Sequence, residues 1–249
     1  MTALPAHYEP PARLLEGRTV LITGAGAGLG RATALACARA GATPVLLGRT
    51  VAKLEKVYDE IKAAGGTEPA IYPLNLAGAS WNDYEQLAET LGREFGKLHG
   101  LAHCAAHFKS FGPLEAAEPK DWLETLQVNV TAPFALTRHC LPLLAGSADA
   151  SVVFVSDACG RKGKAYAGAY GVSKFAVEGL MQTWAQELEG AGHVRVNSLD
   201  PGPMDTALRR KGYDRSVPAP DPSAAANALL WLLGPDSRPA TGEAFSLSR

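Results

Sequence analysis

Tyr170 and Lys174, in Tyr170-Gly171-Val172-Ser173-Lys174, place a phenol and an ammonium one turn apart on the same helix face. A neighbouring ammonium stabilises phenolate and draws a pKa near ~10 toward the range where the group can give and take protons. The spacing alone is not diagnostic, because Tyr58-Asp59-Glu60-Ile61-Lys62 repeats it in a charged helical stretch that reads as a solvated face. Context separates the two. Tyr170 follows the apolar run Ser151-Val152-Val153-Phe154-Val155 and opens a helix expected to bury Phe175, Val177, Leu180, Met181 and Trp184. The reactive pair therefore belongs on the first turn of a core helix, beyond the end of a strand.

A second group of residues addresses phosphate. Thr23-Gly24-Ala25-Gly26-Ala27-Gly28-Leu29-Gly30 follows one apolar run and leads straight into a helical pattern. Glycines let the backbone approach a pyrophosphate, and a helix N-terminus favours its negative charge. The G-x-G-x-x-G spacing fails, because Leu29 or Arg31 occupies its last position, and no Gly-Lys-Ser/Thr follows to make a Walker A loop. T-G-x-x-x-G-x-G fits, so Thr23, Gly24, Gly28, Leu29 and Gly30 are expected at a dinucleotide. A tight turn without ligand is the plainer alternative, and the strand–turn–helix context speaks against it. About 20 residues further on, a site for NAD places a carboxylate on the ribose 2′-hydroxyl. Here the chain reads Leu46-Leu47-Gly48-Arg49-Thr50. A guanidinium suits a 2′-phosphate, which predicts NADP(H) over NAD(H) with Arg49 as the contact.

The elements that must hold these residues alternate along the chain. Strand-like runs at 19–23, 44–47, 70–76, 98–105, 151–155, 194–199 and 244–247 are separated by helical patterns at 29–40, 51–64, 81–95, 121–144, 170–188 and 223–233. Gly41, Gly65, Gly96 and Gly190 stop several helices. Inner strands apolar on both faces indicate a parallel sheet covered by helices, and the alternation predicts one doubly wound α/β domain. Residues 1–16 read as an extended tail, 17–249 as the nucleotide-binding domain, and the irregular stretch 204–222 as a substrate lid. With 47% hydrophobic residues the chain can build a large core, and a net charge of −1 gives no argument for nucleic acid or a membrane surface. No run reaches the ~18 apolar residues of a membrane span. The first residues lack the basic and apolar regions of a signal peptide, which predicts a cytoplasmic protein. Cys37, Cys104, Cys140 and Cys159 form no C-x-x-C pair and read as free, mostly buried thiols.

With the glycine loop, the Tyr170/Lys174 pair and this element order, the chain resembles the short-chain dehydrogenase/reductase family over nearly its whole length. Within it the chain is most similar to YciK-like bacterial oxidoreductases, through Val45-Leu-Leu-Gly-Arg49, Val128-Asn-Val130, Gly160-Arg-x-Gly-Lys164 and Gly168-Ala-Tyr-Gly-Val-Ser-Lys-Phe-Ala176. The resemblance implies a Rossmann-type single domain of about seven strands and hydride transfer between a nicotinamide and a carbonyl or alcohol. It gives Tyr170 the role of general acid or base. Lys174 lowers the Tyr170 pKa and meets the nicotinamide ribose, and Asn129 holds a water of the proton relay. Pro201, Gly202 and Thr206 match a segment at the nicotinamide end, and Asn75 stands where an aspartate usually lies near the adenine. His103-Cys104-Ala105-Ala106 replaces the usual N-N-A-G. The resemblance also implies a homodimer or homotetramer, often formed through the fourth and fifth helices, and no metal.

Asp157 is the main departure. Three residues before Gly160 and thirteen before Tyr170, the family has a serine that hydrogen-bonds the substrate carbonyl. An ionised carboxylate there raises the Tyr170 pKa and repels alkoxide charge. Three arrangements stay open: a protonated Asp157 that donates as serine would, a bulge that presents Ser156 instead, or impaired carbonyl reduction. The rival functions are a nucleotide-binding sensor or partner subunit with little turnover and, more remotely, an isomerase or epimerase. His99, His103 and His107 recur every four residues, but on a strand the first two lie about 13 Å apart, too far to share an ion. Arg161, Lys162, Lys164, Arg209, Arg210, Lys211 and Arg215 are expected to rim one mouth. They read mainly as solvated loop charges with partners such as Asp205 and Asp214, with recruitment of an anionic substrate as the alternative.

Overall fold

The computed structural model describes residues 2–4, 8–214 and 216–247. The strands are β1 (Thr2–Ala3), β2 (Thr19–Thr23), β3 (Thr43–Gly48), β4 (Ala70–Pro73), β5 (Gly100–His103), β6 (Ala150–Val155), β7 (Val194–Asp200) and β8 (Ala244–Ser246). The helices are α1 (Gly28–Arg39), α2 (Val51–Ala63), α3 (Trp81–Phe95), α4 (Pro119–Leu126), α5 (Ala132–Ala145), α6 (Gly168–Leu188) and α7 (Ser223–Leu233). All strand pairs are parallel, in the order β1-β8-β7-β6-β5-β2-β3-β4. The seven strands expected from the sequence all form, as one Rossmann-like domain.

Strand pleat explains the two cores. Val20 and Ile22 of β2 face α1, α2 and α7, whereas Leu21 faces α3, α5 and α6; Leu46 of β3 and its neighbours Val45 and Leu47 divide the same way. Both faces are thus covered, as a parallel sheet requires. From β2 the chain winds outward to β4, then returns to β5 on the other flank of β2. That reversal opens a crevice at the carboxyl ends of β2 and β5, where such sheets bind ligands. At the opposite end of the sheet, Arg18, Arg195 and Arg238 converge on the buried Asp149. Burial opposes its charge, yet the guanidinium groups hold the Asp149 carboxyl down to about 2.

Three local readings change. Within the segment expected as a tail, Thr2–Ala3 pairs with β8, and Leu15 is fully buried with its N–H bonded to the Ala40 carbonyl. The helix expected over 121–144 is interrupted by a π turn at Gln127–Thr131, whose i→i+5 bond runs from the Ala132 N–H to the Gln127 carbonyl. On α6, Val177 and Met181 are buried as expected, and Leu180 and Trp184 pack against the core. Phe175 instead lies 47% exposed, because it projects from the opposite flank of the helix.

Candidate active site

A cavity of about 730 Å³ occupies the crevice at the switch point. Its floor is set by backbone proximity. Gly24 has φ +68°, and a Cβ there would come within 2.9 Å of the Ala105 Cα; a Cβ on Gly30 would meet the Gly24 carbonyl oxygen at 2.4 Å. The β2–α1 turn therefore tolerates no side chain at either place, and its backbone is bared to the cavity with Gly28 and Leu29. Helix α1 starts after Ala27 without a side-chain cap, which leaves its first N–H groups for an anion. Thr23 does not line the cavity. Its hydroxyl accepts the Ala105 N–H at 3.0 Å and donates to the Ala102 carbonyl at 3.5 Å, tying the ends of β2 and β5 together.

At one end of the cavity lie Arg49, Asn75 and, in the first turn of α2, Lys53. Neither Arg49 nor Lys53 has an ion-pair partner among the described residues. The Asn75 Oδ1 accepts the Ala77 N–H at 3.3 Å, so its side chain also shapes the loop that carries it. Lys53 was not visible as a site residue in the sequence, since a lysine in the first turn of a charged helix has the look of solvent-facing decoration.

At the other end, Asp157, Tyr170 and Lys174 come together. The β6 ladder continues through Ser156, whose N–H bonds the Leu199 carbonyl at 2.7 Å, and Asp157 follows in extended conformation. No bulge turns Ser156 toward Tyr170; Ser156 is buried and its hydroxyl has no hydrogen-bond partner among the described residues. The carboxylate of Asp157 accepts the Tyr170 hydroxyl at 3.2 Å and the Cys159 N–H at 2.9 Å. The Lys174 ammonium donates to the Val155 carbonyl at 2.7 Å and lies 5.4 Å from the centre of the Tyr170 ring. Burial pushes the Tyr170 phenol well above its ordinary value, and the Asp157 charge adds to this. Burial also lowers the Lys174 ammonium, against the pull of Asp157. The phenol is therefore a protonated acid at neutral pH, not a ready base.

Packing holds this arrangement. The short turn Ala158–Gly160 rests directly on α6, so that a Cβ on Gly160 would lie 2.7 Å from the Lys174 carbonyl carbon and oxygen. Both are backbone atoms that cannot step aside. Gly160→Ala is expected to cost about 1–3 kcal/mol and to lower Tm by roughly 2–10 °C; calorimetry showing an unaltered Tm would contradict the close packing. Arg161 ties the same turn to the fold by an ion pair with buried Glu178 at 3.0 Å and a bond to the Phe245 carbonyl at 2.8 Å.

Asn129 lies in the π turn, buried and off the cavity. Its amide donates to the His107 carbonyl at 3.0 Å and the Ser173 hydroxyl at 2.9 Å, while its oxygen accepts the His107 N–H at 2.6 Å. It clamps the segment after β5 against α6. The histidines part ways. His99 accepts the Thr19 N–H, and His103 is stacked on Phe154 and bonded to Thr137, its pKa depressed by burial to about 3. His107 lies between Asp121 at 2.9 Å and Glu124 at 3.3 Å. Among the cysteines, Cys104 lines the cavity, and burial pushes its thiol up to about 12.

Pro201, Gly202 and Thr206 line the cavity beside Tyr170, and the Thr206 methyl would touch a Cβ on Gly28 at 3.3 Å. The outer wall is aromatic: Phe108 lies 5.2 Å from the Tyr170 ring, and Phe111 packs on both Phe108 and Tyr213. The sequence reading missed this wall. Its signal was three aromatic residues in otherwise polar loops, which carry no periodicity. Of the expected cations, Lys164, Arg209 and Lys211 line the cavity, whereas Arg161 turns inward, Arg210 pairs with Asp205 at 2.7 Å, and Arg215 lies outside the described residues.

Comparison with known proteins agrees with this geometry. A family model for short chain dehydrogenases matches residues 18–216. The chain is 39% identical over 241 residues to the uncharacterized oxidoreductase YciK of Escherichia coli K12, covering 96% of this chain and 95% of that one. A short chain dehydrogenase structure from Pseudomonas syringae is 47% identical with a TM-score of 0.91, covering 96% of this chain and 99% of that chain. Another, from Escherichia coli CFT073 and complexed with NADPH, is 39% identical with a TM-score of 0.92, covering 96% and 100%. Sequence, fold and cleft together make this chain an oxidoreductase of the short chain dehydrogenase family.

Proposed function

We propose that the protein is an NADP(H)-dependent carbonyl reductase or alcohol dehydrogenase whose proton passes through Tyr170. The observation that carries this reading is the convergence of Tyr170, Lys174 and Asp157 on the cavity that the glycine turn also lines. The bare backbone of Gly24 and Gly30 and the uncapped start of α1 fit a pyrophosphate. Arg49 and Lys53, both lacking carboxylate partners among the described residues, fit a 2′-phosphate, and the NADPH bound by a relative supports the same choice. A reduced nicotinamide held there supplies hydride to the substrate carbon. Tyr170 then gives its proton to the carbonyl oxygen, and the buried Lys174 ammonium offsets the charge left on the phenol. Asp157 must be protonated to donate to that oxygen; ionised, it holds the Tyr170 proton and opposes the reaction. Asn129 holds the wall of the site and so the placement of Tyr170 through Ser173, which also donates to the Tyr170 carbonyl at 2.7 Å.

Arg49→Ala is expected to weaken NADPH binding roughly 10- to 100-fold, the loss of one charge-assisted contact, and to leave NADH binding nearly as before. Titration of cofactor fluorescence decides it, and equal losses for both cofactors would remove the preference for NADP(H). A second reading rests on Asp157 alone: a dinucleotide-binding protein with little turnover. Exposed Leu123 of α4 and Val172 and Phe175 of α6 support assembly as a homodimer or homotetramer through these helices. No described helix is long and apolar enough to cross a membrane, and we take the cytoplasm as the site of action and 204–222 as the lid.

A further inference from the structure

The cations at the cavity mouth are not equivalent. Arg210 is bound by Asp205 through both oxygens. Lys164 and Arg209, in contrast, have no carboxylate partner among the described residues, and both are held in place by aromatic rings. The Lys164 ammonium donates to the Tyr213 hydroxyl at 3.0 Å and lies 5.3 Å from the Phe111 ring centre. The Arg209 guanidinium stacks 4.3 Å from the Tyr213 centre, which leaves its N–H edge open for a planar anion. Lys211 is committed to the Phe108 carbonyl at 2.9 Å. The carboxylates on the cavity are engaged: Asp157 by Tyr170, Glu124 by His107 and Asp200 by the Gly202 N–H. A fixed positive edge therefore stands beyond an apolar wall that begins at Tyr170 itself.

Resting on the carbonyl reading above, we propose that this mouth selects substrates in which a flat apolar body separates the carbonyl from a carboxylate, the carboxylate being held by Lys164 and Arg209. Phe108 and Phe111 link the Tyr170 ring to Tyr213 through successive ring contacts of 5.2, 5.1 and 5.3 Å between centroids, so an apolar spacer lies between the two polar ends. In the reaction the carbonyl carbon takes hydride from NADPH and its oxygen takes the Tyr170 proton. The alcohol and NADP⁺ leave, and the carboxylate is unaltered.

The test compares 4-formylbenzoate with its methyl ester, which share carbonyl and ring and differ in charge. Affinity for the NADPH-loaded protein is read by ligand-observed NMR, in the wild type and in a Lys164→Met/Arg209→Met variant, beside NADPH affinity itself. The expected result is binding of the acid at least tenfold tighter than the ester. That preference should fall with added salt and vanish in the variant, with NADPH affinity retained. Equal affinity in the wild type, or a variant that weakens acid and ester alike, overturns the proposal. A parallel loss of NADPH affinity does so too, since the cations would then serve the cofactor. Turnover separates the two readings. An acid that binds tightly but is reduced neither by the wild type nor by Asp157→Ser refutes the reductase reading and leaves the anion site standing. Reduction of acid and ester with equal kcat/KM does the reverse.

Discussion

Asp157→Ser is expected to raise kcat/KM for carbonyl reduction at neutral pH by about 100-fold. Asp157 accepts two hydrogen bonds, one oxygen taking the Tyr170 hydroxyl and the other the Cys159 N–H of the following turn, and so presents no donor to the reacting centre. Serine keeps a polar atom there, removes the negative charge and restores a donor to the developing oxyanion. One such donor is worth roughly 10²–10³ in rate. Steady-state NADPH consumption with a panel of aldehydes and ketones checks it. A serine variant no faster than wild type would make Asp157 a working donor. A silent wild type beside an active variant, both binding NADPH, would favour the sensor reading.

Tyr170→Phe is expected to lose about 10²–10⁴ in kcat for reduction while keeping NADPH affinity within a few fold. The phenol lines the cavity as the proton donor of the proposed reaction, and its ring packing against Phe108 survives the change. Because burial and Asp157 raise its pKa, the protonated form required for reduction is complete at neutral pH. Oxidation of the alcohol needs the phenolate, so its rate is expected to rise with pH into the alkaline range. Removing the Asp157 charge should shift that rise to lower pH. A phenylalanine variant that keeps full turnover would remove Tyr170 from the mechanism.

Much of this site was legible because it depends on backbone proximity and spacing. Gly24, Gly28 and Gly30 had to be glycine where chain meets chain, and Tyr170 and Lys174 had to share a helix face. The parallel sheet could be expected from two-sided apolar runs, since only a helix-covered parallel sheet buries both faces. What stayed hidden depends on tertiary partners. The Thr23 hydroxyl ties β2 to the chain beyond β5, and Asn129 clamps His107, and neither contact is announced by the residues around it in sequence. Their roles follow from what approaches from β5, some 80 and 20 residues away in the chain respectively. Phe108, Phe111 and Tyr213 escaped notice because loops lack a period. Arg161 was assigned to the mouth because nothing local announces that Glu178, 17 residues on in α6, draws it inward.

The π turn at Gln127–Thr131 makes α4 and α5 one rod with a surplus residue. Such a turn carries five residues where an α turn needs fewer, so the two halves are rotated out of phase by about 100°. Deleting Val128 would heal the hydrogen-bond ladder and yield a better helix, yet it would swing Asn129 off His107 or turn the buried face of α5 toward solvent. The seam is thus a place where regularity and activity conflict. A deletion that swings Asn129 away costs turnover, and one that turns α5 outward costs stability.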